Sequence, residues 1–116
     1  MVYNNILEAV GHTPMVKLQR MVDPDCADIY VKFEGLNVGG SIGLALVGAV
    51  RGYRTVIIMP DSVSEERRKL IRHYGADVKL IHDAGDIGAC IDECLQTALR
   101  MQEKDPRVFV PQQFAN

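Results

Sequence analysis

The sequence predicts an α/β domain: a mainly parallel sheet with helices on both faces. Three observations carry this. Short β-branched runs alternate with longer amphipathic runs along most of the chain. One strand-like run, TVIIMP at 55–60, is continuously apolar from Val56 to Met59, as a strand covered on both faces should be. Finally, the order β, α, β, α, β, α, β from Asp28 to Val110 calls for right-handed crossovers that lay helices on the sheet.

Taken in order, MVKLQ (15–19) and DIYVKFE (28–34) alternate apolar and polar residues and predict strands. In NVGGSIGLALVGAVRGY (37–53) a glycine-rich turn runs straight into small residues at helical spacing, predicting a helix that starts near Ile42. TVIIMP follows, closed by Pro60. In DSVSEERRKLIRHYG, Ser62 stands three residues before Glu65, a capping-box spacing, and Gly75 falls where a helix C′ residue needs positive φ. ADVKLI (76–81) predicts the next strand. The run 86–104 then places Ile87, Cys90, Ile91, Cys94, Leu95, Ala98 and Met101 at helical spacing, and RVFVP (107–111) predicts a last short strand.

A chain of 116 residues makes a single domain over 1–116, with no repeat, low-complexity tract or linker to divide it. A formal net charge of −2 offers no footprint for a polyanion, which argues against nucleic acid as a partner. No apolar run approaches the roughly 20 residues that cross a bilayer, and MVYNNILEAV lacks a basic start and cleavage site. These features predict a cytoplasmic protein without membrane contact. Cys26, Cys90 and Cys94 make an odd set, and His12, His73 and His82 are scattered, so the expectation is reduced thiols, surface imidazoles and no metal site.

Ligands of open α/β sheets bind outside the carboxyl ends of the strands, which singles out GLNVGGSIG, MPDSVSEE and PQQFAN. In the first, glycines let backbone amides approach an anion, and the helix near Ile42 would aim its free N–H groups at it. The P-loop pattern fails because no Lys follows the glycines, and the spacing is not G-x-G-x-x-G. A structural turn therefore remains an open alternative to an anion site. Asp61, Glu65 and Glu66 read as helix-dipole partners rather than acid/base groups, and Arg67, Arg68, Lys69 and Arg72 as a solvated face. Gln112, Gln113 and Asn116 around Phe114 offer uncharged donors suited to a substrate carboxylate, with simple chain-end polarity an equal alternative.

VGHTPMVKLQR (10–20) resembles the I-G-N-T-P-L-V-x-L opening of the cysteine synthase (O-acetylserine sulfhydrylase) family, and DIYVKFEGLNVGGSI (28–42) resembles its I-Y-x-K-x-E-x-x-N-P-G-G-S-V. The stretch 42–81 resembles its G-I-G-L-A-x-x-A-A-x-K-G-Y and M-P-x-x-x-S-x-E-R-R-x-x-L-x-x-x-G-A, and VPQQFAN (110–116) resembles P-Q-Q-F-x-N-P. Four blocks in the family's order cover nearly all of the chain. The resemblance implies the amino-terminal domain of a fold-type II pyridoxal 5'-phosphate enzyme. It also implies a transferase or lyase that replaces the β-substituent of O-acetylserine with sulfide, working as a homodimer in the cytoplasm. Donors such as O-phosphoserine, serine or cysteine, and products such as cystathionine or lanthionine, stay open. His12 stands for the family's usual Asn, and Val38 for its usual Pro.

In the family, G-G-S-V is followed by the Schiff-base lysine, then by a helix, a strand and a T-S-G-N-T-G loop, before G-I-G-L-A. Here Ser41 and Ile42 run directly into Gly43, so Gly43 stands where the lysine is expected and an internal omission is expected at about 41–43. The chain also ends, after Asn116, inside a motif that relatives continue. By the resemblance, Asn37, Gly39, Gly40 and Ser41 form the near edge of the cofactor site, and Gln113 and Phe114 contact substrate, Gln113 donating to its carboxylate. No catalytic residue is expected within the chain, because the cofactor's aldehyde needs a primary amine to hold it and to carry the α-proton. Lys17, Lys32, Lys69, Lys79 and Lys104 do not replace it. The expectation is a piece of a β-replacing enzyme, inactive alone and holding no covalent cofactor. The competing expectation is a noncatalytic binding or self-association module.

Overall fold

The computed structural model describes residues 2–19, 23, 25 and 27–112. Its contacts gather into two compact units, Met1–Gly39 and Gly40–Asn116.

In the first unit a 3-10 turn, Ile6–Ala9, is capped by Asn5, whose side chain accepts from the Leu7 N–H at 3.0 Å. The Glu8 carboxylate reaches back to the Asn4 N–H and the Asn5 amide, the reciprocal arrangement that satisfies orphan donors at a helix start. Two strands follow, β1 (Met15–Lys17) and β2 (Tyr30–Lys32). They pair antiparallel, Met15 opposite Lys32 and Lys17 opposite Tyr30. The stretch 28–34 thus contributes a strand, but not the first member of a parallel series. Both strands are exposed along their length.

The second unit carries the layered core. Helix α1 (Gly40–Arg51) begins two residues before the expected Ile42, and Gly52 at φ +73° ends it. At Gly48 an added Cβ would lie 2.0 Å from the Thr55 hydroxyl oxygen, so glycine is what lets α1 approach the chain entering the sheet. Strands β3 (Val56–Pro60) and β4 (Asp77–Ile81) pair in parallel with Ile57 opposite Val78 and Met59 opposite Leu80. Between them runs α2 (Glu65–His73). Its carboxyl end is a Schellman motif: the Gly75 N–H donates to the Arg72 carbonyl at 2.8 Å, and the Ala76 N–H to that of Ile71 at 3.4 Å, with Gly75 at φ +84°. The expected Ser62 cap does not form. Ser64 is the residue before the helix, and the Ser62 hydroxyl instead donates to Asp83 at 2.6 Å.

Register explains the two-faced covering. Ile57 and Met59, with Val78 and Leu80 opposite, pack against Ala45 of α1 and Ile71 of α2. The intervening positions turn to the other face, where α3 (Ile87–Lys104) lies with Cys90, Cys94 and Thr97 buried. Asp86 caps α3 by accepting from the Ala89 N–H at 3.1 Å.

The expected strand at 107–111 is absent among the described residues. Asp105 instead holds Arg107 through its backbone N–H at 3.0 Å and its guanidinium at 2.9 and 2.7 Å, and the Val108 N–H closes a turn on the Asp105 carbonyl. A strand needs a ladder to join, and β3 pairs only with β4 among the described residues.

Candidate functional site

The glycine-rich segment straddles the boundary of the two units. Asn37 and Gly39 close the first, while Gly40, Ser41 and Gly43 form the opening turn of α1 in the second.

Asn37 follows a 3-10 turn, Glu34–Leu36, and donates its backbone N–H to the Glu34 carbonyl at 2.9 Å. Its side-chain amide donates to the Glu34 carboxylate. That carboxylate also accepts from the Thr13 hydroxyl at 3.1 Å, and Thr13 in turn accepts from Lys32, whose ammonium lies 3.5 Å from Glu34. Asn37 foremost, then Thr13 and Lys32, hold the Glu34 carboxyl below its usual range. The network fixes Asn37 and occupies Lys32.

At Gly39 an added Cβ would meet nothing within 4 Å, and Gly40 takes φ +59°, a left-handed geometry that favours glycine. No acidic side chain sits in the first turn of α1 to receive its free N–H groups. Of the sequence-derived candidates, then, Gly40, Ser41 and Gly43 share one helical turn, and Asn37 and Gly39 lead into it. Gln113, Phe114 and Asn116, like Cys26, lie outside the described residues. Gln112 is within them, at a left-handed φ of +48°.

A second cluster escaped the sequence reading. The register that sets Pro60 opposite Ile81 brings the residues after both strands together at their carboxyl ends. Asp61 accepts from the Asp83 N–H and from His82 Nδ1, each at 2.9 Å, while Asp83 accepts from Ser62 and from the Gly85 N–H. The Asp83 N–H, then His82, lower the Asp61 carboxyl, and Asp61 raises the His82 imidazole. Asp61 is therefore a tie between two loops rather than a dipole partner of α2. Only the pairing of 60 with 81 reveals it, and no local motif announces that pairing.

The two described thiols, Cys90 and Cys94, are buried. Burial raises Cys90 and pushes Cys94 up to about 11, so both stay protonated near neutrality. No group of three or more His, Cys, Asp or Glu among the described residues is arranged to hold a metal ion. Nor is any described helix long and apolar enough to cross a membrane.

Comparison with known proteins bears on the glycine-rich segment and on the chain from α1 onward. The sequence model of the family described as pyridoxal-phosphate dependent enzyme matches residues 42–116. A cysteine synthase of Flavobacterium sp. is 32% identical over 151 residues, a match covering 100% of this chain and 47% of the relative. A cysteine synthase of Staphylococcus aureus is 32% identical over 147 residues, covering 97% of this chain and 46% of the relative. The crystal structure of a hydrogen sulfide-producing enzyme from Fusobacterium nucleatum superposes with a TM-score of 0.81 at 30% identity, over 100% of this chain and 47% of that one. The chain spans about half the length of the curated relatives it matches. Its architecture is that of the amino-terminal region of a fold-type II pyridoxal-phosphate enzyme. With the family match taking in well over half of its residues, this chain belongs to the pyridoxal-phosphate-dependent enzyme family, where the relatives it resembles are cysteine synthases.

Proposed function

We propose that this chain is part of a cysteine synthase-like enzyme that replaces the β-substituent of O-acetylserine, or of a related serine or cysteine derivative, with sulfide or a thiol. Alone it carries no such activity. The observation that carries both halves is the opening of α1, where Ser41 and Ile42 run into Gly43 with no lysine anywhere from Gly40 to Arg51. Two features of the comparisons support an internal omission there. The family match begins at residue 42, and the Flavobacterium match extends over 151 residues against 116 in this chain, a difference of about 35.

Pyridoxal phosphate supplies the electron sink that such replacements need at the substrate α-carbon. The residues here do not fit a covalently held cofactor. Lys69 is paired with Glu65 at 2.9 Å, Lys17 with Asp28 and Lys32 with Thr13, while Lys79 and Lys104 border a groove beside α3. What the chain contributes, on this reading, is the edge of a site: Asn37 fixed by Glu34, open space at Gly39, and the free N–H groups of Gly40 and Ser41. Gln113 and Phe114 would meet the substrate, Gln113 donating to its carboxylate. A homodimer in the cytoplasm belongs to the same reading and rests on the resemblance.

A second reading, a noncatalytic self-association module, draws on one observation. Leu44, Val47 and Val50 form an apolar stripe on α1, 39%, 40% and 40% exposed, away from the buried Ala45. One experiment addresses both readings. The purified chain is incubated with pyridoxal phosphate, reduced with borohydride and mapped by mass spectrometry. We expect an intact mass near 12.9 kDa, no imine absorption and no stoichiometric label on any one lysine. A single fully labelled lysine, or turnover of O-acetylserine by this chain, overturns the reading. An intact mass well above that value with a yellow colour shows the omitted residues to be present in the protein.

A further inference from the structure

We draw no further inference here: the strongest candidate, the exposed apolar face that Val16, Ile29, Val31 and Phe33 give the β1–β2 sheet, carries nothing because nothing in the structure shows what covers it.

Discussion

Two runs of this chain look alike as sequence: VIIMP, from Val56 to Pro60, and RVFVP at 107–111. Both are β-branched, and both close on proline. The first is a strand whose Ile57 and Met59 are buried, while the second makes no strand among the described residues and leaves Phe109 81% exposed. The difference lies in what each run meets. VIIMP has β4 along one edge, α1 and α2 on one face and α3 on the other. RVFVP comes after the tight Asp105–Arg107 turn with no ladder to join among the described residues. Propensity nominates a strand, and partners decide whether it forms.

The largest effect that would sharpen this contrast is at Ile57. Ile57→Ala removes a side chain packed among Ala45, Met59, Ile71 and Ala76, and should cost about 2–5 kcal/mol through lost burial and the residual cavity. Against a total stability on the order of 5–15 kcal/mol for a domain, that is a large fraction. Urea unfolding followed by circular dichroism measures it. A loss under about 1 kcal/mol would mean that β3 is held chiefly by its ladder, and the contrast with RVFVP would then rest on pairing alone.

How far the sequence anticipates this arrangement depends on the same division. The end of α2 is legible from a neighbouring residue, because Gly75 acts within a few positions of the helix it ends, whereas the Asp86 cap of α3 is found only in the structure. The continuous apolar run of β3 was legible because it is buried on both faces. Features that depend on distant pairing were not. The antiparallel partner of β2, the failed strand at 107–111, and the diversion of Ser62 from capping to Asp83 all turn on residues about 15 or more positions away, or on a neighbour that is lacking. At the candidate site, the sequence picked out the turn from Asn37 to Gly43 by its glycines. The Glu34–Thr13–Lys32 network that fixes Asn37 spans 21 residues and carries no local signature.

A smaller effect is expected where the paired strands end, at the tie between Asp61 and His82. His82 titrates above the usual imidazole value of about 6.5 because Asp61 holds its charged form. Its contribution to stability is therefore complete below that value and disappears as pH rises through the raised folded-state pKa. Asp61 behaves oppositely, contributing above its unfolded value near 3.9 and losing that contribution as pH falls through its depressed folded-state pKa. His82→Gln should thus shift the urea midpoint at pH 6 and leave it nearly unchanged well above neutrality. NMR titration should find the His82 pKa lowered by Asp61→Asn. A difference between His82→Gln and the unaltered chain that grows with pH would contradict the arrangement.

The smallest effect is expected at Phe109, and it discriminates most sharply. A phenylalanine in a strand buried between layers loses about 3–5 kcal/mol on truncation to alanine, whereas a surface position away from packed features changes by no more than about 0.5 kcal/mol. At 81% exposure Phe109 belongs to the second class, and Phe109→Ala should leave the urea midpoint of this chain unmoved. A large loss would mean that RVFVP has found a partner after all, in the same chain or in a second copy. Concentration separates those cases, because a contact between copies weakens on dilution while one within the chain does not. Residues capable of lying beside β3 can be supplied by inserting a relative's segment between Ser41 and Ile42. If the same substitution becomes costly only in that longer chain, the strand was latent in 107–111 and lacked only a neighbour.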